Sequence, residues 1–103
     1  MDRPEEKKGT ATRKIPGGKL VRLDISFSDS IISCKITGDF FLHPEDAINP
    51  LETSLLGLSF PLDEKKASER LKSALRKADA TLIGATAEEI ASILMEAATC
   101  DGD

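Results

Sequence analysis

Gly38-Asp39-Phe40-Phe41-Leu42-His43-Pro44-Glu45 is the stretch on which the reading of this chain turns, because it holds two of the four phenylalanines and the only histidine. An alternating apolar/polar pattern ends at Gly38, and two large rings follow where the chain leaves a sheet. Pro44-Glu45-Asp46 then has the composition of a helix first turn, with proline at the first helical position and acids facing the positive end of the dipole. A strand therefore hands over to a helix here.

Toward the N-terminus, Val21, Leu23, Ile25 and Phe27 alternate with Arg22, Asp24 and Ser26, the period-two pattern of a strand with one buried face. Ser28-Asp29-Ser30 makes a turn, after which Ile32, Cys34 and Ile36 alternate with Ser33, Lys35 and Thr37, giving a β-hairpin. Gly38 breaks its second strand, as a residue suited to unusual backbone angles or close approach would. Toward the C-terminus, Asn49-Pro50-Leu51-Glu52 repeats the helix-start signal, which predicts a kinked helix or two short pieces, with Ile48, Leu51 and Leu55 as its apolar stripe and Gly57 as its stop. Asp63 to Ala78 is the clearest helix, with Ala67, Leu71, Ala74, Leu75 and Ala78 on one face. Leu82 and Ile83 suggest a brief extended segment. Thr86 and Glu89 then form a capping box for a last helix, whose stripe is Ile90, Ile93, Leu94 and Ala97.

The expected fold class is α+β, a small antiparallel sheet with about three helices packed on one face. An isolated hairpin is marginal, so a third strand is required, from residues near 10 to 16, from Ala80 to Gly84, or from a partner chain. Residues 1–14 lack bulky apolar periodicity and are expected to form a flexible charged arm, residues 15–98 a single domain, and residues 99–103 a frayed tail.

Composition excludes several classes. The 103 residues, 40% apolar, suit one domain with one modest core. There is no apolar run of about 18 residues and no hydrophobic leader, so the expected location is cytoplasmic, with no membrane partner. Cys34 and Cys100, with one histidine, fall short of the ligands for zinc or an iron-sulfur cluster, and Cys34 reads as a core residue. Residues 1–22 hold seven Lys/Arg against three Asp/Glu, and residues 23–103 hold seven against fifteen. A short basic segment on an acidic body, without Tyr or Trp, is a poor nucleic-acid footprint and a better protein-docking one.

No self-contained catalytic set emerges. Pro16-Gly17-Gly18-Lys19 leads into a strand, whereas a phosphate-cradling loop must open a helix. Its readings are a turn that sets up the hairpin, or a contact loop whose glycines allow close approach and whose Lys19 offers a cation. His43 is the one candidate for acid-base work near neutral pH, with Glu45 and Asp46 close by, but no nucleophile can be assigned beside it. Capping, packing or docking are its better readings. Phe40 and Phe41, being adjacent, are expected to divide between core and surface, the outward ring serving as an interface anchor.

With those residues in view, PGGKLVRLDISF (16–27) and CKITGDFFLHPEDAINPLETSLLG (34–57) resemble the C-terminal accessory domain of lipoate-protein ligases, which in some archaea and bacteria is a separate small subunit. The matching segment, Ile15 to Gly57, covers about 40% of the chain, and the two later helices agree in order and length. The resemblance implies a non-catalytic subunit, needed with a large catalytic subunit for ATP-dependent activation of lipoate to lipoyl-adenylate. Transfer would then follow to a lysine of acceptors such as the 2-oxoacid dehydrogenase E2 or the glycine cleavage H protein. It places ATP, Mg2+ and lipoate on the large subunit, and none of them on this chain alone. The positions it carries over as partner or adenylate-closure contacts are Gly17, Gly18, Lys19, Asp39, Phe40, Phe41, His43, Pro44 and Glu45. The competing readings are a stand-alone protein-interaction module and an iron-sulfur or sulfur-transfer scaffold of similar build, the latter short of thiolates.

Overall fold

The computed structural model describes residues 6–17 and 19–99. Three strands, β1 (Lys7–Ile15), β2 (Lys19–Phe27) and β3 (Ile31–Gly38), form an antiparallel sheet in the order β1-β2-β3. The alternation in β2 sets its inner face, and Val21, Leu23, Ile25 and Phe27 are all buried. A β-bulge after Ser26 leaves Ile32 unpaired and puts Ile31 opposite Phe27 in the core. The third strand is thus supplied by the N-terminal segment.

That strand corrects the expected flexible arm over residues 7–14. Its inward positions are Gly9, Ala11, Arg13 and Ile15, too small or too polar to register as apolar periodicity. The small residues fit where a helix crosses the sheet, and the arginine is paired: its Nη1 donates to the Ser92 hydroxyl at 2.9 Å and its Nη2 lies 2.8 Å from the Glu96 carboxylate. Residues 1–5 of the arm and 100–103 of the expected frayed tail lie outside the described residues.

After β3 come a short strand β4 (Phe41–His43), a 3-10 turn (Glu45–Ala47) and α1 (Ile48–Ser54). The junction is punctuated as expected, but two details differ. Pro44 is extended and precedes the 3-10 turn instead of opening a helix. Asn49 and Pro50 sit inside the first turn of α1, where a missing N–H goes unnoticed because first-turn donors lack intrahelical partners anyway. The helix α2 (Glu64–Lys77) is capped by Asp63, whose carboxylate accepts from the Lys65 and Lys66 amides. It ends with Asp79 at φ 52°, the Ala80 N–H on the Leu75 carbonyl and the Asp79 N–H on the Arg76 carbonyl, a Schellman arrangement without its usual glycine.

Thr81–Ile83 forms β5, which pairs with β4 in a separate two-stranded ribbon. The last helix, α3 (Ala87–Thr99), starts with the capping box: the Thr86 N–H donates to Glu89 Oε1 at 3.0 Å and the Glu89 N–H to Thr86 Oγ1 at 3.1 Å. It packs across β1 and β2, α2 lies against α3 and α1, and α1 lies against β3. Ile90, Ile93 and Leu94 meet Val21 and Leu23 in the core. Phe27 stacks on Phe60, with ring centroids 4.9 Å apart.

Candidate functional site

The two segments singled out in the sequence meet at one end of the molecule. Val21 stands opposite Gly38, and the Asp39 N–H donates to the Leu20 carbonyl at 2.8 Å. Gly38 permits this closeness, since a Cβ there would come within 2.3 Å of the Leu20 carbonyl oxygen. From that pinch point the chain runs into β4, which pairs with β5 so that Phe41 faces Ile83 and His43 faces Thr81. Strand alternation then sorts the side chains. Leu42 points into the core and Leu82 is half-buried, while Phe41 is 70% and Ile83 59% exposed.

Gly84 ties this ribbon to the first segment. At φ +96° it lies 3.4 Å, measured from the position of an added Cβ, from the Phe40 Cα, and 3.7 Å from Cγ and Cε of Lys19. The aliphatic stem of Lys19 therefore lies against Gly84, on the side where the Phe40 backbone approaches it. Leu20, 43% exposed, completes the set of exposed large hydrophobics among the described residues. Phe41 and Ile83 thus form an exposed apolar pair on the ribbon, with the Lys19 stem against the adjoining Gly84, while alternation along β2 puts Leu20 on the opposite side of that strand from Lys19.

The expected contact positions distribute as follows. Gly17 is in the exposed turn before β2 at φ +101°, with nothing near its missing Cβ. Gly18 lies outside the described residues. Lys19, Asp39, Phe40 and Phe41 converge at the ribbon, with Phe40 half-buried against the core and Phe41 outward. His43, Pro44 and Glu45 are exposed and follow at the far end of β4. The sequence reading did not single out Ile83 and Gly84 as neighbours of these positions. The signal available was the pair Leu82-Ile83, a second apolar doublet flanked by a glycine, which mirrors the doublet after Gly38.

Outside this face, several charged groups serve the fold. The Glu52 carboxylate accepts the Ile36 N–H at 2.8 Å, closing part of the outer edge of β3 and holding α1 against it. Arg22 bonds to the Asp24 carboxyl, which also accepts from Thr10 at 2.7 Å, and the Arg22 hydrogen bond holds that carboxyl below its ordinary pKa. Burial pushes the Cys34 thiol up to about 12, with the Glu52 and Asp24 charges adding to the effect. A thiol this reluctant to ionise is a packing group and a poor nucleophile. Among the described residues no group of three His, Cys, Asp or Glu side chains is placed to hold a metal ion, and no helix is long and apolar enough to cross a membrane.

A solved chain from Thermoplasma acidophilum shares this architecture. It comes from an archaeal lipoylation system comprising a bi-partite lipoate protein ligase and its E2 lipoyl domain. The two chains are 26% identical, the match covers 86% of this chain and 91% of that one, and the TM-score is 0.59. This chain is similar to a component of a lipoylation system. No protein-family model matches it, and no curated protein does.

Proposed function

We propose that this chain is the accessory subunit of a two-component lipoate-protein ligase. The observation that carries the reading is the outward Phe41–Ile83 pair, an exposed apolar anchor whose Phe41 comes from a segment that resembles the ligase accessory domain and whose Ile83 adjoins Gly84, against which the stem of Lys19 from the other such segment lies. The similarity to a chain of a lipoylation system supports it independently.

On this reading the large subunit binds ATP, Mg2+ and lipoate, and the small one docks on it through the β4–β5 ribbon in the cytoplasm. Forming an acyl-adenylate requires a carboxylate and an α-phosphate to meet despite their like charge, with water excluded. The accessory chain supplies no nucleophile to that step. Its contribution is closure: the apolar face is desolvated against the large subunit, and the Lys19 ammonium is brought toward the anions held there.

The test is lipoate-dependent exchange of pyrophosphate into ATP. The large subunit with this chain should exchange, and either protein alone should not. Robust exchange by this chain alone, or by the large subunit regardless of it, overturns the proposal. Mass spectrometry of the same mixtures decides the other possible place in such a system, because a lipoyl adduct on this chain itself would make it the acceptor.

A further inference from the structure

Between α1 and α2, away from the ribbon's outer face, lies an open groove of about 820 Å3. Its α1 wall is Pro50, Thr53 and Ser54, and its floor includes Ala74 and Ala78. Lys66, Arg70 and Lys77 line it along α2. These positions recur at helical spacing on one face, so the cations span about 16 Å of helix axis, with intervals of about 6 and 10 Å. Glu69 is the one acid in the lining. Among the described residues Lys66, Arg70 and Lys77 take no part in the ion pairs Arg13–Glu96, Arg22–Asp24 and Lys72–Glu88, the last of which faces α3. Arg70 is also held in place, its Nη1 donating to the Ser54 and Leu56 carbonyls at 3.2 and 3.3 Å where α1 ends.

We propose that this groove binds an extended acidic segment of a partner protein. A net positive channel on a chain of formal charge -4 calls for an anionic occupant. The spacing selects its kind. A small anion engages one or two neighbouring cations, whereas three cations spread over about 16 Å suit carboxylates on one face of an extended backbone, at positions 1, 3 and 5 about 6.6 Å apart, with the long lysine stems spanning the remainder. Ala74 and Ala78 on the floor, with Pro50 in the facing wall, provide apolar surface against which such a backbone can lie. The groove also ends near the ribbon, since Ala78 precedes the first residue of β5 by three positions, so a protein seated on one can reach the other.

The experiment uses the full chain, isotope-labelled, at low ionic strength, titrated with a nine-residue peptide carrying glutamates at positions 1, 3 and 5 among glycine and serine. We expect saturable amide shifts confined to residues 50–56 and 66–78, binding that weakens as salt rises, and at least a tenfold loss of affinity in Lys66→Ser/Lys77→Ser. Both lysines are exposed and Arg70 is retained, so the fold is preserved in that variant. A peptide with three contiguous glutamates should bind more weakly than the spaced one. Shifts on the outer sheet face instead, or equal binding by the double variant, would overturn the inference. So would tripolyphosphate producing the same shifts and displacing the peptide at lower concentration, because the groove would then be a small-anion site. No ligase subunit enters this assay, so its outcome is independent of the accessory-subunit reading.

Discussion

Replacing Phe41 by alanine separates docking from folding. An aromatic side chain of about 200 Å2 that is 70% exposed removes only about 60 Å2 from water, worth about 1.5 kcal/mol as an upper figure. The stability loss of Phe41→Ala should therefore be about 1 kcal/mol in urea denaturation. The neighbouring Leu42, 8% exposed and pointing into the core, should cost about 2 to 5 kcal/mol when truncated to alanine. Affinity should show the reverse order. A central aromatic anchor costs about 2 kcal/mol or more at an interface, so calorimetric titration against the ligase large subunit should show about a 30-fold loss for Phe41→Ala. Ile83→Ala, across the ribbon, should weaken the same association. An affinity within twofold of the unmodified chain for both variants would refute the assignment of the ribbon as anchor. A stability loss for Phe41→Ala equal to that of Leu42→Ala would refute the geometry itself.

Three further outcomes follow from the fold. Gly38→Ala should destabilise by about 2 to 3 kcal/mol, since its Cβ would sit 2.3 Å from the Leu20 carbonyl oxygen at φ +156°; a chemical melt unchanged from the original would show that the pinch is not needed. Asp79→Gly should raise stability by about 0.5 to 1 kcal/mol, because the left-handed position at the end of α2 suits glycine better than aspartate, and a lower midpoint would contradict this. Cys34, held near 12 from an ordinary 9.0, keeps its proton longer when folded, so its contribution to stability is intact below about pH 9 and declines as pH rises toward 12. Its alkylation by iodoacetamide at pH 8 should accordingly be far slower in the folded chain than in urea, and equal rates would contradict the burial.

Much of the fold was legible because period and punctuation agreed. The hairpin, the two long helices and the Thr86–Glu89 box each had a local chemical signature that tertiary context left intact. The first strand was obscured because its inward side is glycine, alanine and an arginine, residues chosen for helix approach and a salt bridge instead of hydropathy. The ribbon was half legible. Phe40 and Phe41 announced a division between inside and outside, yet the partner strand is three residues long, and pairing of Phe41 with Ile83 across 42 positions leaves no local trace. For the same reason the two motifs could be named as contact segments from sequence, but their meeting at Gly84 could not, since it depends on how the ribbon folds back against the start of β2.

The most direct test of the accessory role compares two inputs to acceptor lipoylation, followed by mass measurement of the acceptor protein. Given preformed lipoyl-adenylate, the large subunit should modify its acceptor without this chain, because the mixed anhydride is already activated and only a lysine must be positioned. Given free lipoate and ATP, modification should require this chain, and Lys19→Ala should impair that input far more than the adenylate input. If leaving out this chain slows both inputs equally, the closure account is contradicted, and its role would lie in docking the acceptor.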